Sequence, residues 1–237
     1  MSTKATNHLS DDSVPRWVWW GTLTGVALVA AITVFGAVLL RLGEADPPVA
    51  GPVTWEDRAL RWASGPEVAL AANEGAWWIA PQEAALPDGA FTLEVRAQIT
   101  ADSDPSAAWG AWLEMPDGAR VIYAVSGEGY ITTRRCPTGD IPPAEIEDCP
   151  ALRPEWRWMP YPRVNSPGTA NTITLHLERS GDVRLRLNGE RLGAAPVARN
   201  GRWGVWARGG RDGGATLVWQ RADIRGRSLA TVTPPGP

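Results

Sequence analysis

The stretch Phe91–Thr100, FTLEVRAQIT, alternates without a break. Phe91, Leu93, Val95, Ala97 and Ile99 are apolar; Thr92, Glu94, Arg96 and Gln98 are polar. Successive side chains of an extended chain point to opposite faces, so a period of two marks a strand buried on one face. The pattern recurs. Ala108–Glu114 (AWGAWLE) and Ala119–Ser126 (ARVIYAVS) flank the turn signal MPDG, and GYITTRRC follows across a glycine-rich turn. RWGVWAR and ATLVWQRADIRG are two more strands, split by Gly209–Gly214 (GGRDGG), which reads as a flexible hairpin tip. Many short strands with turn signals every ~8–12 residues, and no soluble helix, predict an all-β antiparallel sandwich.

One register follows from the letters. In NTITLHLERSGDVRLRLNG, Ile173, Leu175 and Leu177 alternate with polar residues, as do Val183, Leu185 and Leu187. A two-residue loop at Ser180-Gly181 would pair Glu178 with Val183 and mix the faces. Leu177 opposite Val183 keeps the apolar sets together and leaves the loop Arg179-Ser180-Gly181, with glycine at the left-handed position. His176 then faces Arg184 and lies near Glu178. Asn188-Gly189 marks the next tight turn.

Upstream, Trp17–Leu40 carries no charge. At about 1.5 Å per residue it spans roughly 36 Å, enough to cross a hydrocarbon core of about 30 Å with tilt. Trp17, Trp19 and Trp20 sit where indoles favour the headgroup layer, and Arg41 closes the other end. The run is longer than the apolar core of a cleaved leader, about 7–15 residues, so it reads as an uncleaved signal-anchor. LGEA before Asp46 keeps cleavage as the competing reading. Gly21 and Gly25 form the G-x-x-x-G spacing that permits close helix approach and is also frequent by chance. Lys4 and Arg16 precede the span, whereas Glu44 and Asp46 follow Arg41. That asymmetry places the N-terminus in the cytoplasm and exports the rest. The expected organisation is a tail (1–16), a transmembrane helix (17–41), a proline-rich linker (42–54), the sandwich domain (55–228) and a tail (229–237).

Export bears on Cys136 and Cys149, the only cysteines. Zinc needs four closely spaced ligands, and His8 and His176 are the only histidines. A C-x-x-C redox pair is absent. A structural disulfide remains, worth about 3 kcal/mol for a loop of about fourteen residues in the chain-entropy model. The acidic run Glu145–Asp148 inside it reads as solvated surface charge rather than a Ca²⁺ site, and no metal or cofactor is implied.

Fourteen tryptophans is the abnormal count. Trp109, Trp203 and Trp219 are expected inside the sandwich. Trp112 and Trp206 fall on the opposite faces of their strands and are candidates for exposure. Trp156 and Trp158, two apart on one expected face, stand with Tyr161, Arg157 and Arg163 in RPEWRWMPYPR. Flat rings beside arginine donors suit a sugar or a protein hot spot, and equally a plug at the end of a sandwich.

The succession W…ANEGAWWI, FTLEVRAQI, WGAWLEM…ARVIYAVSGEGYITTRR, NTITLHLERSGDVRLRLNGERLG and GRWGVWARGG…TLVWQRADIRG resembles the concanavalin A-like jelly roll. The closest flavour is that of laminin-G-like and 3-keto-disaccharide-hydrolase-type domains of exported bacterial proteins. The resemblance covers about Trp55 to Gly226. Its most specific piece is the hairpin ending at Asn188-Gly189, followed by WGVWA and a closing strand. The resemblance implies fold, not catalytic residues.

Chemistry is sparse. The E-x-D-x-x-E run of retaining glucanases of this fold is absent. Glu94 and Glu114 are the strand carboxylates that could face one groove. A Ser-His-Asp triad would need His176, and no G-x-S-x-G elbow accompanies it. Net charge is −3, which does not suit a nucleic-acid partner. Two readings remain: a non-catalytic, membrane-tethered module that binds a glycan or surface polymer, and an accessory subunit capping the outer face of a membrane assembly. Membrane lipid is a partner in both.

Overall fold

The protein is described here from a computed structural model covering residues 16–44, 51–137, 146–177, 182–196 and 201–226. The chain forms two compact units, Met1–Asp46 and Pro47–Pro237. In the first, α1 (Arg16–Glu44) is one continuous helix. Its stretch Trp17–Ala37 is long and apolar enough to cross a membrane, a property that an anchor requires and a signal sequence near the N-terminus can share. Leu23, Val26, Leu28, Val29, Ile32, Val34 and Phe35 are all exposed, so the helix presents apolar side chains on every side. Thr22, Thr24 and Thr33 donate their hydroxyls to the carbonyls four residues back, at 2.7–2.8 Å. In hydrocarbon, where no water can serve, such internal bonds keep a polar group tolerable.

The second unit is the antiparallel jelly-roll sandwich. Its strands are β1 (Val53–Asp57), β2 (Glu67–Leu70), β3 (Gly75–Ile79), β4 (Phe91–Ile99), β5 (Ala108–Glu114), β6 (Arg120–Ser126), β7 (Tyr130–Cys136), β8 (Met159–Pro160), β9 (Asn171–Leu177), β10 (Asp182–Leu187), β11 (Glu190–Pro196), β12 (Trp203–Arg208) and β13 (Ala215–Gly226). The seven-stranded sheet runs β1-β13-β4-β9-β10-β11, with β2 also on β13; the six-stranded sheet runs β3-β12-β5-β6-β7-β8. The register derived from hydrophobic pairing is the observed one: Val183 lies opposite Leu177 and Arg184 opposite His176. Glu178 and the Arg179–Gly181 loop lie outside the described residues. Asn188 (φ 50°) and Gly189 (φ 87°) both take left-handed backbone, as a tight hairpin turn requires.

The interior holds Trp109, Trp203 and Trp219, as the alternation predicts. Trp219 meets Trp109 edge-on at 5.9 Å and Trp78 at 6.0 Å; Trp203 meets Trp62 at 5.5 Å and Trp55 at 5.8 Å. A shift of register in β13 between Trp219 and Arg221 lets Trp219, Ala222 and Ile224 all face inward despite their broken alternation.

Two expectations are corrected. GGRDGG is not a hairpin tip. It links β12 to β13, which belong to different sheets, and it is pinned. Asp104 accepts from the Asp212 amide at 2.9 Å, and the Arg211 amide donates to Ser106 Oγ at 2.7 Å. A side chain at Gly209 would collide with the Ala71 carbonyl, and one at Gly210 with Asp104. Glu94 and Glu114 do not share a groove. Glu94 pairs with Asp223 and Thr174 on the outer face of the seven-stranded sheet, while Glu114 lies with Arg120 and Cys136 on the outer face of the other. Burial, and then the Asp223 carboxylate, hold the Glu94 carboxyl above the usual glutamate range.

Glycine at 204 is required by contact. A methyl there would run into the Trp78 carbonyl oxygen and the Trp112 ring. Gly204→Ala is expected to lower unfolding stability by about 3 kcal/mol, measured by denaturant titration; a loss under about 0.5 kcal/mol would contradict this packing.

Candidate functional site

The outer face of the six-stranded sheet is aromatic. Trp206 lies opposite both Trp77 and Gly110, and Trp112 lies opposite Gly204 and Ile122. Trp112 and Trp206 are nevertheless fully buried, contrary to the expected exposure. With Ala108, Ile122, Ala124, Cys136, Ile146 and Cys149 they form a second, smaller core, flanked by Trp77 and Trp158. The Arg120 guanidinium stacks 5.1 Å from Trp112 and 5.7 Å from Trp77.

The cover on this face is the segment tied by the Cys136–Cys149 disulfide, whose bond is formed in the structure. Residues 138–145 lie outside the described residues. After them comes a 3-10 turn, Ile146–Asp148, which plants Ile146 on the tryptophans. Arg134 on β7 donates to the Cys149 carbonyl at 3.1 Å and to Thr132 Oγ1 at 2.9 Å. Its burial holds the guanidinium below the usual arginine range.

Glu147 is not solvated surface charge. Its Oε1 accepts from Arg208 Nη1 at 2.8 Å and from Trp158 Nε1 at 2.7 Å. Arg208, which ends β12 two positions beyond Trp206, has a side chain only 8% exposed. These groups form one wall of a pocket of about 520 Å³, lined also by Ser126, Glu128, Tyr130 and Arg211. Across it Arg211 Nη2 meets Glu128 Oε1 at 2.6 Å. The loop that carries Arg211 is fixed by Asn73 Nδ2, which donates to the Arg211 carbonyl at 3.0 Å. A second cleft, about 430 Å³, shares Glu147 and is lined by Arg134, Asp148 and Arg157. Among the described residues, no group of three His, Cys, Asp or Glu gathers to hold a metal; Glu145 lies outside them.

The tryptophan–arginine cluster read from the sequence is divided. Trp156 and Trp158 share no face, because they leave a 3-10 turn and a bend rather than a strand. Trp158 enters the pocket. Trp156 goes to the other sheet, where its ring rests on β11: a Cβ on Gly193 would come within 2.5 Å of it. Arg153 stacks on Trp156 at 4.9 Å and donates to the Ala194 carbonyl at 3.1 Å, while Thr132 Oγ1 donates to the Trp156 carbonyl at 3.0 Å. Trp156 thereby straps the edge of one sheet to the other. Tyr161 packs on the main core and hydrogen-bonds Glu190, which pairs with Arg163 at 2.9 Å. Burial and that carboxylate push the Tyr161 phenol up. Arg157 lines the second cleft. Sequence reasoning missed Arg208, Glu128, Tyr130 and Arg211. One signal was present: Arg208 shares its strand face with Trp206, which places a cation on an aromatic surface. His176, opposite Arg184, contacts Thr92 Oγ1 through Nδ1 at 3.0 Å on the other sheet.

No protein-family model matches the sequence, and no curated protein does. Solved structures of similar shape include the carbohydrate-binding module CBM66 from Bacillus subtilis, at 11% identity and a TM-score of 0.42, covering 68% of this chain and 96% of that one. Galectin LEC-6 of Caenorhabditis elegans gives 14% identity and 0.40, with the same two coverages, 68% and 96%. The Crh5 transglycosylase gives 15% and 0.46, covering 73% and 77%. The two-sheet architecture itself rests on the strand pairing above.

Replacing Cys136 and Cys149 by serine is expected to cost about 2–4 kcal/mol while the main sandwich stays folded. The outer core should loosen selectively. Hydrogen exchange of the tryptophan indole N–H should rise at Trp112 and Trp206 and stay low at Trp109 and Trp219; equal protection of all four would contradict the cover.

Proposed function

We propose that this chain is a membrane-anchored, non-catalytic module that binds a glycan or surface polymer in the pocket beside the disulfide-tied cover. A concanavalin A-like sandwich of the laminin-G-like or 3-keto-disaccharide-hydrolase type, held on a single-pass helix, is the form this takes. The observation that carries it is the pocket wall, where the indole of Trp158 adjoins the nearly buried Arg208 and its partner Glu147. An apolar ring and a paired donor and acceptor are the two contacts that a sugar's C–H face and hydroxyls need. A volume of about 520 Å³ suits a small ligand or a chain end. Glu94 and Glu114, the strand carboxylates considered for glycoside hydrolysis, lie on opposite outer faces and share no groove. The two carboxylates that do line the pocket, Glu128 and Glu147, are each held in an ion pair with an arginine, which supports a binding role. Trp158 is assigned the ligand face, with Arg157 in the adjoining cleft; Trp156, Tyr161 and Arg163 are assigned to closing the sandwich edge.

The anchor would leave the N-terminus in the cytoplasm and the sandwich outside, where an oxidising compartment sustains Cys136–Cys149. A second reading, an accessory subunit of a membrane complex, is favoured by Gly21 and Gly25. They lie one turn apart on α1, with open space where a side chain would be, so another helix could approach closely there. Migration on native gels after gentle solubilisation separates the two: alone for a glycan module, within a large complex for a subunit.

With the tightest-binding sugar from an oligosaccharide array, Trp158→Ala is expected to weaken binding by about 2 kcal/mol or more. Trp156→Ala should cost about 2 kcal/mol of stability and leave the affinity of the folded protein unchanged. Calorimetric titration well below the melting temperature checks both, and unchanged affinity in Trp158→Ala would sink the site. Protease added to intact cells, or to spheroplasts, is expected to remove everything after Arg41. Full protection of that region would overturn the orientation.

A further inference from the structure

We infer that the pocket selects uncharged glycans and disfavours those bearing carboxylates, an inference that rests on the glycan-binding reading of the same pocket. Four charged side chains line the cavity, Glu128, Glu147, Arg208 and Arg211, and they are already joined in two ion pairs. No cation in that lining is left over for an anionic ligand. The inner pair is the more constrained. Arg208 is nearly buried, and the Glu147 oxygen that holds it is also held by the Trp158 indole. A uronate that took Arg208 for itself would leave the Glu147 carboxylate beside it as a like charge without its partner, a cost that rises because Arg208 is nearly buried. The outer pair, Arg211–Glu128, is at the rim, with side chains 60% and 36% exposed. There a ligand carboxylate would meet Glu128, a like charge.

A sugar hydroxyl has the opposite relation to these pairs. It both donates and accepts, whereas a guanidinium only donates and a carboxylate only accepts. Two neighbouring hydroxyls can therefore bond an Arg–Glu pair together, one to each member, without separating the charges. The pocket offers two such pairs, and Tyr130 and Ser126 add uncharged polar groups to its lining. The charged lining works as a set of matched donors and acceptors, and its specificity comes from the repulsion it keeps in reserve.

The test is calorimetric titration of the full chain in detergent with oligosaccharides of matched length. Neutral probes are cello-, manno- and galacto-oligosaccharides; acidic ones are oligogalacturonate and alginate fragments. At least one neutral series should bind about tenfold or more tighter than either acidic series. Glu128→Gln, which frees the exposed Arg211, should raise acidic binding about tenfold, and added salt should reverse that gain. Acidic probes binding the unaltered protein as tightly as neutral ones would overturn the selectivity and leave the glycan site standing. No probe of either kind binding would remove the glycan site and this selectivity with it.

Discussion

Trp109 and Trp112 stand three residues apart on β5, so their rings leave the sheet on opposite faces; Trp203 and Trp206 do the same on β12. A sheet with large indoles on both faces has to be covered twice. The seven-stranded sheet covers one side and makes the main core. Nothing in a two-layer sandwich covers the other, and leaving Trp112 and Trp206 in water would forfeit roughly 1.5–3 kcal/mol for each ring. The segment between β7 and β8 supplies the missing layer. The opposite outer face differs in kind, since there Thr92, Glu94, Thr174 and Asp223 occupy the strand positions. Buried ones among them are served by polar partners: Thr92 meets His176, and Asp223 pairs with Arg221 and Arg225.

The cover is itself poor in apolar residues. Among the described residues Ile146 and Cys149 are its fully buried contribution, and the sequence just before Ile146 is rich in proline and acid. A segment with so little to bury would not hold one conformation by packing alone, because ordering each residue costs about 1–2 kcal/mol. The Cys136–Cys149 bond lowers that cost by restricting the alternatives. Glu147 adds a polar anchor at the far side, to Arg208 and Trp158. The pocket begins where the cover ends, at that anchor, and so under the proposed function the groups that fasten the cover are also the groups that would face a ligand.

Much of the fold was legible because it depends on neighbours in sequence. Alternation located β4, β5 and β10, and matching the apolar sets fixed Leu177 opposite Val183. The Asn188-Gly189 turn followed from the left-handed backbone it needs. What escaped depends on distant residues. The strand pattern placed Trp112 and Trp206 on the outer face but could not show that a loop some thirty residues beyond Trp112 folds back over them. GGRDGG has the composition of a flexible tip, and its fixed shape comes from Asp104 and Ala71, which local composition does not reveal. The site was hardest of all, since Arg208, Glu147, Glu128 and Trp158 come from a strand end, a disulfide-tied turn, a hairpin and a bend. Trp158 stood in a conspicuous local cluster, but that cluster divides between two sheets, and Glu147 stood in an acidic run that reads from sequence as solvated charge.

Tryptophan is used here in three physical settings. On α1, Trp17, Trp19 and Trp20 are exposed at the helix start, where a headgroup layer would take the ring and its N–H together. In the sandwich, edge-on contacts such as Trp109–Trp219 use the ring's bulk and quadrupole. At Trp158 the ring is half-buried against the outer core while its N–H is committed to Glu147. Under the proposed function, that last use would link stability to recognition in one side chain. The indole packs as part of the cover, and its N–H orients the carboxylate that holds Arg208. A ligand lying against it would therefore meet a wall whose polar groups are already positioned, with little ordering of the wall left to be done on binding.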